Sequence, residues 1–193
     1  GSSKRDVVDA ARRVLKQDVG VFVPCHPIAG REVSGVEHAD AGLYAGKQVI
    51  LTPIERTLMA KLEQANALWQ ALGCQVVNMS PESHDAAFAA VSHLPHLVAF
   101  ALMNSIVNQP EGREYLSLAG PGFRVFSRIA ASDPRMWRDV LIANREELGR
   151  QTELFQHALN DLQRLIANGQ ADDLERLINR ASHARANWRV SPG

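Results

Sequence analysis

The alternation of strand and helix in this chain stops at residue 80. Before that point, residues 47–53 and 74–79 are short apolar segments typical of strands, and residues 54–72 between them have helical spacing. A strand, a helix and a strand in this order predict a βαβ unit with parallel strands. No later segment is typical of a strand. The sequence therefore predicts an α/β part over residues 1–80 and an all-α part over residues 81–193.

The remaining elements follow from apolar periodicity and from turn residues. Residues 4–16 are predicted to be helical, residues 19–24 to form a buried strand, and residues 31–46 to be loop with a short helix. Ser80 and Pro81 are a strong helix start, and Pro95 predicts a kink in the long helix that follows. The helices predicted after residue 80 are 81–108, 112–118, 123–131, 134–168 and 171–185.

The helix predicted over residues 134–168 would be about 50 Å long at 1.5 Å per residue. Helices of that length usually pack against a partner, so we expect the all-α part to form a homodimer. The alternative is a monomeric helical bundle. Because the chain opens directly on a helix of an α/β pattern, the sequence also leads us to expect further sequence upstream.

Charge and cysteine content narrow the classes of protein. The 193 residues carry 21 basic and 21 acidic side chains, a net charge of zero, which gives no electrostatic argument for nucleic acid or an anionic membrane. Cys25 and Cys74 lie far apart without a CxxC motif, as expected for a reduced cytoplasmic protein. The sequence shows no signal peptide and no apolar segment that we expect to span a bilayer.

His26 is the first candidate for catalysis. It follows the predicted strand 19–24 and lies between Pro24 and Pro27, which should end that strand. Ligands of open α/β sheets bind beside the carboxyl ends of strands, and imidazole can accept a proton near neutral pH. The alternative is an ordinary loop histidine.

His93 and His96 share one face of the predicted helix 81–108. Three residues apart, they could bind a metal, but no acidic residue nearby in sequence completes such a site. We therefore expect no metal and favour a polar pocket lined by both rings, opened by the Pro95 kink. The adjacent pair His84-Asp85 is too slight to indicate a metal motif.

Arg128 lies among apolar neighbours after a glycine-rich turn, GPGF at residues 120–123. A guanidinium on an apolar face needs an anionic partner. One alternative is a structural ion pair with Asp133 or Asp139, and the other is a substrate carboxylate, which arginine binds with two hydrogen bonds. The turn lacks the GxGxxG and GK[ST] phosphate-binding patterns. Trp137 is either a core residue or a pocket wall.

Four blocks, in this order, resemble the bacterial prephenate dehydrogenases. They are GSSK at residues 1–4, HPIAG at 26–30 with SGVE at 34–37, SHLPH at 92–96, and GF at 122–123 followed by SRIAASDPRMW at 127–137. VILTP at 49–53 and SPE at 80–82 add weaker support. The chain is thus identified as a member of that family over residues 1 to about 140.

The resemblance implies an oxidative decarboxylation of prephenate to 4-hydroxyphenylpyruvate with NAD or NADP in tyrosine biosynthesis. It implies that His26 is the base at the ring hydroxyl and that Ser2 binds the same hydroxyl and orients His26. Arg128 would bind a substrate carboxylate. The remaining pocket residues implied are Ser92, His93, His96 and Trp137.

The sequence departs from the family pattern at three points. Val125 stands where an Asp is common, and Pro121 where a Gly is common, which bears on the surroundings of Arg128. The GxGxxG motif is absent, so the resemblance implies that only the C-terminal part of a Rossmann-like domain is present. The residues that bind the cofactor phosphates cannot be named from this sequence, and we expect no turnover by these 193 residues alone. The alternatives are an arogenate dehydrogenase, a non-catalytic helical dimerisation or binding module, and a metal-dependent hydrolase using His84, His93 and His96.

Overall fold

The strands of the α/β part form one small mixed sheet. The computed structural model describes residues 2–30 and 35–188. Its strands are β1 (Cys25–Pro27), β2 (Gln48–Leu51) and β3 (Gln75–Asn78), in the order β1-β2-β3. β2 and β3 are parallel, with Val49 opposite Val76, and are joined by helix α2 (Met59–Ala71). The predicted βαβ unit is therefore confirmed.

The sheet packs on one side against α2. Val49 and Leu51 are fully buried and, with Cys74, form a cluster that Tyr44 and Trp69 cover. Helix α1 (Arg5–Leu15) has a separate small core, in which Val8 packs on Val19 and Ile54. This packing holds α1 against the segment of residues 16–21, which leads towards β1.

The prediction of a strand over residues 19–24 is wrong. Residues Lys16–Val21 form a 3-10 helix, and only Cys25–Pro27 pair with β2, in the antiparallel sense. Gly20 explains the difference, because its carbonyl accepts a hydrogen bond from Leu58 N at 2.8 Å and a Cβ there would come within 2.8 Å of the Arg56 carbonyl. The turn is thus fixed by a close contact with a distant segment, and His26 lies within the edge strand instead of after it.

The residues after 80 that the structure describes are helical, as predicted. Ser80 caps the first helix, accepting a hydrogen bond from Ser83 N at 3.0 Å. The predicted loop at residues 31–46 includes a 3-10 turn at Val36–His38, and residues 31–34 lie outside the described part. The helices are α3 (Pro81–Phe88), α4 (Leu94–Val107), α5 (Gly112–Ser117), α6 (Pro121–Ser127), α7 (Pro134–Ala143), α8 (Arg145–Ala167) and α9 (Ala171–Asn187).

A π-helical turn, Ala89–His93, joins α3 to α4 where the sequence predicts a kink. Pro95 has no N–H for the carbonyl four residues before it, so a regular α-helix would leave that carbonyl unsatisfied. The wider turn also changes which side chains share a face. In a regular α-helix His84 and His93 would be about 180° apart, and one inserted residue reduces that angle to about 80°.

The single helix predicted over residues 134–168 is two helices, separated at Asn144. Asn144 leaves helical geometry (φ −110°, ψ 28°), and its side-chain amide donates to the Asp85 carbonyl at 2.8 Å and approaches His93 Nδ1 at 3.1 Å. These contacts to the α3–α4 segment fix the break. The second helix, α8, is about 35 Å long at 1.5 Å per residue.

The continuous helical segment Pro81–Val107 corrects our expectation about membrane spans. Its 27 residues include a window of mean hydropathy 1.6, long and apolar enough to cross a bilayer by length and composition. Three of its polar side chains, His84, Asp85 and His93, are nevertheless fully buried and hydrogen-bonded to protein groups. This face of the segment is therefore packed against protein.

We expect Asn144→Ala to lower the free energy of unfolding by about 1–3 kcal/mol, because it leaves His93 Nδ1 and the Asp85 carbonyl buried without their donor. Urea unfolding would measure the change. The matched control is Asn160→Ala, on the exposed surface of α8. Equal stability of the two variants would contradict this role for Asn144.

Candidate active site

His26 is held on the edge strand by its flanking prolines and by neighbouring rings. The Pro24 carbonyl accepts a hydrogen bond from Thr52 N at 2.9 Å, which fixes the chain just before the histidine. The His26 ring packs against Phe88 and His84, with ring centroids 4.8 and 5.0 Å apart. The strand therefore presents His26 to the start of the helical part.

Two hydrogen bonds connect His26 to a buried carboxylate. His26 Nδ1 lies 2.8 Å from His84 Nε2, and His84 Nδ1 lies 2.7 Å from Asp85 Oδ1. His84 and Asp85 are 0% and 1% exposed. We call these three residues the His26 relay.

Asp85 is fixed at both carboxylate oxygens. Oδ1 accepts from the backbone N–H of Lys4 at 2.8 Å, and Oδ2 accepts from that of Arg5 at 2.9 Å. Burial alone would raise the pKa of Asp85, but hydrogen bonds from His84, Arg5 and Lys4 outweigh it and lower the pKa. Asp85 is therefore ionised near neutral pH, and its carboxylate also lies at the N-terminus of α1, where a negative charge is favourable.

His26 is neutral over the whole physiological range. Burial first, and then the charge of the nearby Lys4, lower the pKa of His26 to about 3. Lys4 itself is only 2% exposed, and burial lowers its pKa too. The neutral imidazole has a ring nitrogen available to accept a proton, but a pKa this far below neutral makes it a weak base.

His93 lies on the same side of the α3–α4 segment and is completely buried. Burial lowers its pKa, so the ring is neutral, and its Nδ1 accepts from the Asn144 amide. A hydrogen-bonding interaction with the Ser2 backbone acts in the opposite direction and raises the pKa of His93. Within the described residues, His93 Nε2 makes no hydrogen bond of ordinary geometry. Ser3 Oγ is likewise buried without such a bond.

His96 and Trp137 form a stacked pair. Their ring centroids are 3.5 Å apart at an interplanar angle of 19°, and His96 Nδ1 donates to the Ser92 carbonyl at 2.9 Å. Burial lowers the pKa of His96. Trp137 is 8% exposed, and its ring also lies edge-to-face with that of His93, with centroids 6.2 Å apart. Trp137 therefore contacts both histidines that the sequence predicts on one helix face.

The structure corrects our expectation for the surroundings of Arg128. The residue is exposed, on a 3-10 turn (Arg128–Ala131) that packs against α4. Asp133 caps α7 by accepting from Met136 N at 2.7 Å, and Asp139 pairs with Arg138 at 2.8 Å. The guanidinium is thus exposed and not buried on an apolar face.

Sequence reasoning missed the parts of the site that lie behind His26. The sequence pattern alone makes His84-Asp85 too slight for a metal motif and indicates no role for Lys4 or Asn144. Both ring nitrogens of His84 are engaged, by His26 and by Asp85, so His84 could bind a metal only by breaking these bonds. The available signal was an adjacent His-Asp pair one turn after the Ser80-Pro81 helix start.

Comparison with known proteins identifies the family of this chain. Residues 80–180 match the family model for the dimerization domain of prephenate dehydrogenase, and residues 1–78 match the model for its nucleotide-binding domain. The chain belongs to the prephenate dehydrogenase family. The dimerization-domain match alone covers more than half of the chain.

Individual relatives give the same result. The chain is 35% identical over 190 residues to the prephenate dehydrogenase of Bacillus subtilis, covering 96% of this chain and 50% of that protein. It is 30% identical to the cyclohexadienyl dehydrogenase of Zymomonas mobilis, covering 96% of this chain and 63% of that protein. This chain thus spans about half to two thirds of the length of the curated relatives it matches.

Solved structures of the family have the same fold. Prephenate dehydrogenase from A. aeolicus, in complex with hydroxyphenyl propionate and NAD+, superposes with a TM-score of 0.89 at 40% identity, covering 96% of this chain and 64% of that one. Synechocystis arogenate dehydrogenase superposes with a TM-score of 0.86 at 28% identity, covering 98% of this chain and 68% of that one.

We expect the fold to lose stability as the pH falls below about 6.5. The pKa values of His26, His93 and His96 are lowered in the folded state. Below about pH 6.5 these histidines therefore become protonated in the unfolded chain while they are still neutral in the folded one, which favours unfolding. Asp85, whose pKa is also lowered, adds a loss at still lower pH. Urea midpoints at pH 7 and pH 5 measure the effect.

His26→Gln removes one of these titrating groups, so the difference in unfolding free energy between pH 7 and pH 5 should be smaller than in the wild type. His183→Gln, on the exposed face of α9, is the matched control for the loss of one histidine. An unchanged difference in His26→Gln would contradict a depressed pKa at His26.

Proposed function

We propose that this chain carries the base and the substrate-binding residues of a prephenate dehydrogenase, which converts prephenate to 4-hydroxyphenylpyruvate and CO2 in tyrosine biosynthesis. The observation that carries the proposal is the His26 relay, a neutral imidazole hydrogen-bonded through a second imidazole to a buried carboxylate. The matches to both family domains supply the reaction class.

In the proposed reaction His26 handles one proton. Its imidazole accepts the proton of the ring 4-hydroxyl, so the O–H bond breaks, an N–H bond forms and the oxygen becomes a carbonyl as hydride leaves the same carbon. The bond to the ring carboxylate then breaks, and its electron pair makes the ring aromatic as CO2 departs. The oxygen, now phenolate, takes the proton back from His26, so the histidine ends neutral.

NAD or NADP, when bound, supplies the acceptor for that hydride. The chain offers part of a site for such a group, since residues 1–78 match the nucleotide-binding model and Ser3 Oγ is a buried polar atom with its hydrogen bond unmade within the described residues. No GxGxxG is present in the 193 residues to bind the pyrophosphate. We therefore expect these 193 residues alone to give no turnover.

Substrate binding is proposed for residues of both parts of the chain, 1–80 and 81–193. Ser2, two residues before the buried Lys4, would bind the ring hydroxyl and orient His26. Arg128 would bind a substrate carboxylate, and its exposed position next to α4 leaves it accessible to an anion. Ser92, His93, His96 and Trp137 would line the pocket, in which the His96–Trp137 stack supplies a flat wall.

A homodimer formed by the helical part, located in the cytoplasm, completes the proposal. The helical part matches a dimerization domain, and α8 exposes a row of large apolar side chains that a second copy could cover. They are Leu154, Phe155, Leu159 and Ile166. Arogenate is the alternative substrate, favoured by the likeness to the Synechocystis arogenate dehydrogenase.

His26→Asn is expected to lower kcat about 100-fold or more, with KM within a few-fold, because it removes proton transfer and leaves ground-state binding intact. Reduction of NAD+ or NADP+ with prephenate by the product of the complete reading frame is the assay. His157→Asn, on the exposed surface of α8, is the matched control. No reduction by the wild-type product would instead favour a non-catalytic helical module, and normal turnover by His26→Asn would rule out His26 as the base.

Arg128→Gln is expected to raise KM for prephenate about tenfold with a smaller effect on kcat, because it removes a charge-assisted bond to a carboxylate. Arg124→Gln, on the same short helical stretch and also exposed, controls for the loss of one surface cation. Similar KM values for the two variants would show that Arg128 does not bind the substrate.

A further inference from the structure

The positions of the protons in the His26 relay can be assigned from its hydrogen bonds. An ionised carboxylate can only accept, so a His84 ring that carries one proton must carry it on Nδ1. Nε2 of His84 is then a bare acceptor, and the 2.8 Å contact requires a proton on His26 Nδ1. Neutral His26 is thus left with a bare Nε2, the nitrogen that can act as a base.

The opposite assignment would inactivate His26. If His84 were a cation, it would donate from Nε2 to His26 Nδ1, and the one proton of neutral His26 would then be on Nε2. No base would remain at that nitrogen. The orientation of the relay therefore decides whether the imidazole can accept a proton at Nε2.

We propose that His84 and Asp85 are positioning residues for His26: they hold its tautomer with Nε2 bare and stabilise the imidazolium that forms when it accepts the hydroxyl proton. This inference rests on the proposed function. Neither side chain reaches solvent, and Asp85 is fixed by two backbone N–H groups, so the relay has little freedom to reorient.

The charge of the relay matters because the surroundings of His26 oppose a cation. Burial and the charge of Lys4 both disfavour imidazolium at this position. The anionic Asp85, hydrogen-bonded to the far nitrogen of the intervening His84 ring, is the group placed to act in the other direction. A carboxylate that fixes the tautomer of a catalytic histidine and stabilises its cation has the same role in Ser-His-Asp triads.

The test replaces His84, because substituting Asp85 would also disturb the start of α1. His84→Phe removes both relay bonds while keeping a planar ring beside Phe88. His84→Gln provides an amide oxygen that can accept from His26 Nδ1 but carries no link of the same kind to Asp85. His183→Phe is the control for a histidine-to-phenylalanine change on an exposed helix face.

We expect His84→Phe to lower kcat about 100-fold with KM nearly unchanged, and His84→Gln to recover about tenfold of that loss. A purely structural role for His84 would produce neither this KM-against-kcat split nor the partial recovery in His84→Gln. Equal kinetics for His84→Phe and wild type, or no difference between the two variants, would overturn the proposal.

A second readout is independent of turnover. Long-range 1H–15N spectra of the histidine rings distinguish the two neutral tautomers, and the His26→Asn variant identifies the His26 signals. We expect wild type and His84→Gln to show His26 protonated on Nδ1, and His84→Phe to show a mixture. If His84→Phe fails to fold, the tautomer in wild type and in His84→Gln decides, and a proton on Nε2 in wild type overturns the proposal.

The two readouts separate this inference from the proposed function. If wild-type protein shows the Nδ1–H tautomer of His26 but does not reduce NAD+ or NADP+, the proposed tautomer stands and the proposed dehydrogenase activity is refuted. Active protein whose turnover and tautomer do not respond to His84 would keep the dehydrogenase and refute the relay.

Discussion

The buried carboxylate of Asp85 is the group on which the arrangement of the two parts depends. Its oxygens bind the backbone of Lys4 and Arg5 in the α/β part and the ring of His84 in the helical part. An ionised group this deeply buried is tolerated only when its hydrogen-bonding capacity is used, so these bonds form together. The start of α1, the first turn of α3 and the ring of His26 are thereby fixed relative to one another.

The π-helical turn and Asn144 extend the same set of contacts. Without the extra residue before Pro95, His93 would lie on the far side of the helix from His84. With it, His93 faces Asn144, whose amide also holds the Asp85 carbonyl. The break between α7 and α8 is therefore part of the candidate site, because the backbone conformation of Asn144 both ends α7 and positions the side-chain amide.

Local patterns in the sequence were sufficient for the βαβ unit, for α1 and for the helix start at Ser80. They failed where a distant contact sets the backbone. The 3-10 helix at residues 16–21 depends on Leu58, and the break at Asn144 depends on Asp85 and His93. His26, His93 and His96 could be named from their motifs, but the tie between His26 and His84 spans 58 residues and has no periodic signal.

The low pKa of His26 has a consequence for how the proposed base would work. A free imidazole with a pKa of about 3 is always available to accept a proton at neutral pH, but it holds that proton weakly. Weak retention suits a reaction in which the same proton returns to the phenolate oxygen once CO2 has left. Burial is the first cause of the low pKa and the charge of Lys4 the second, so a negative charge placed near Lys4 would offset only part of the shift.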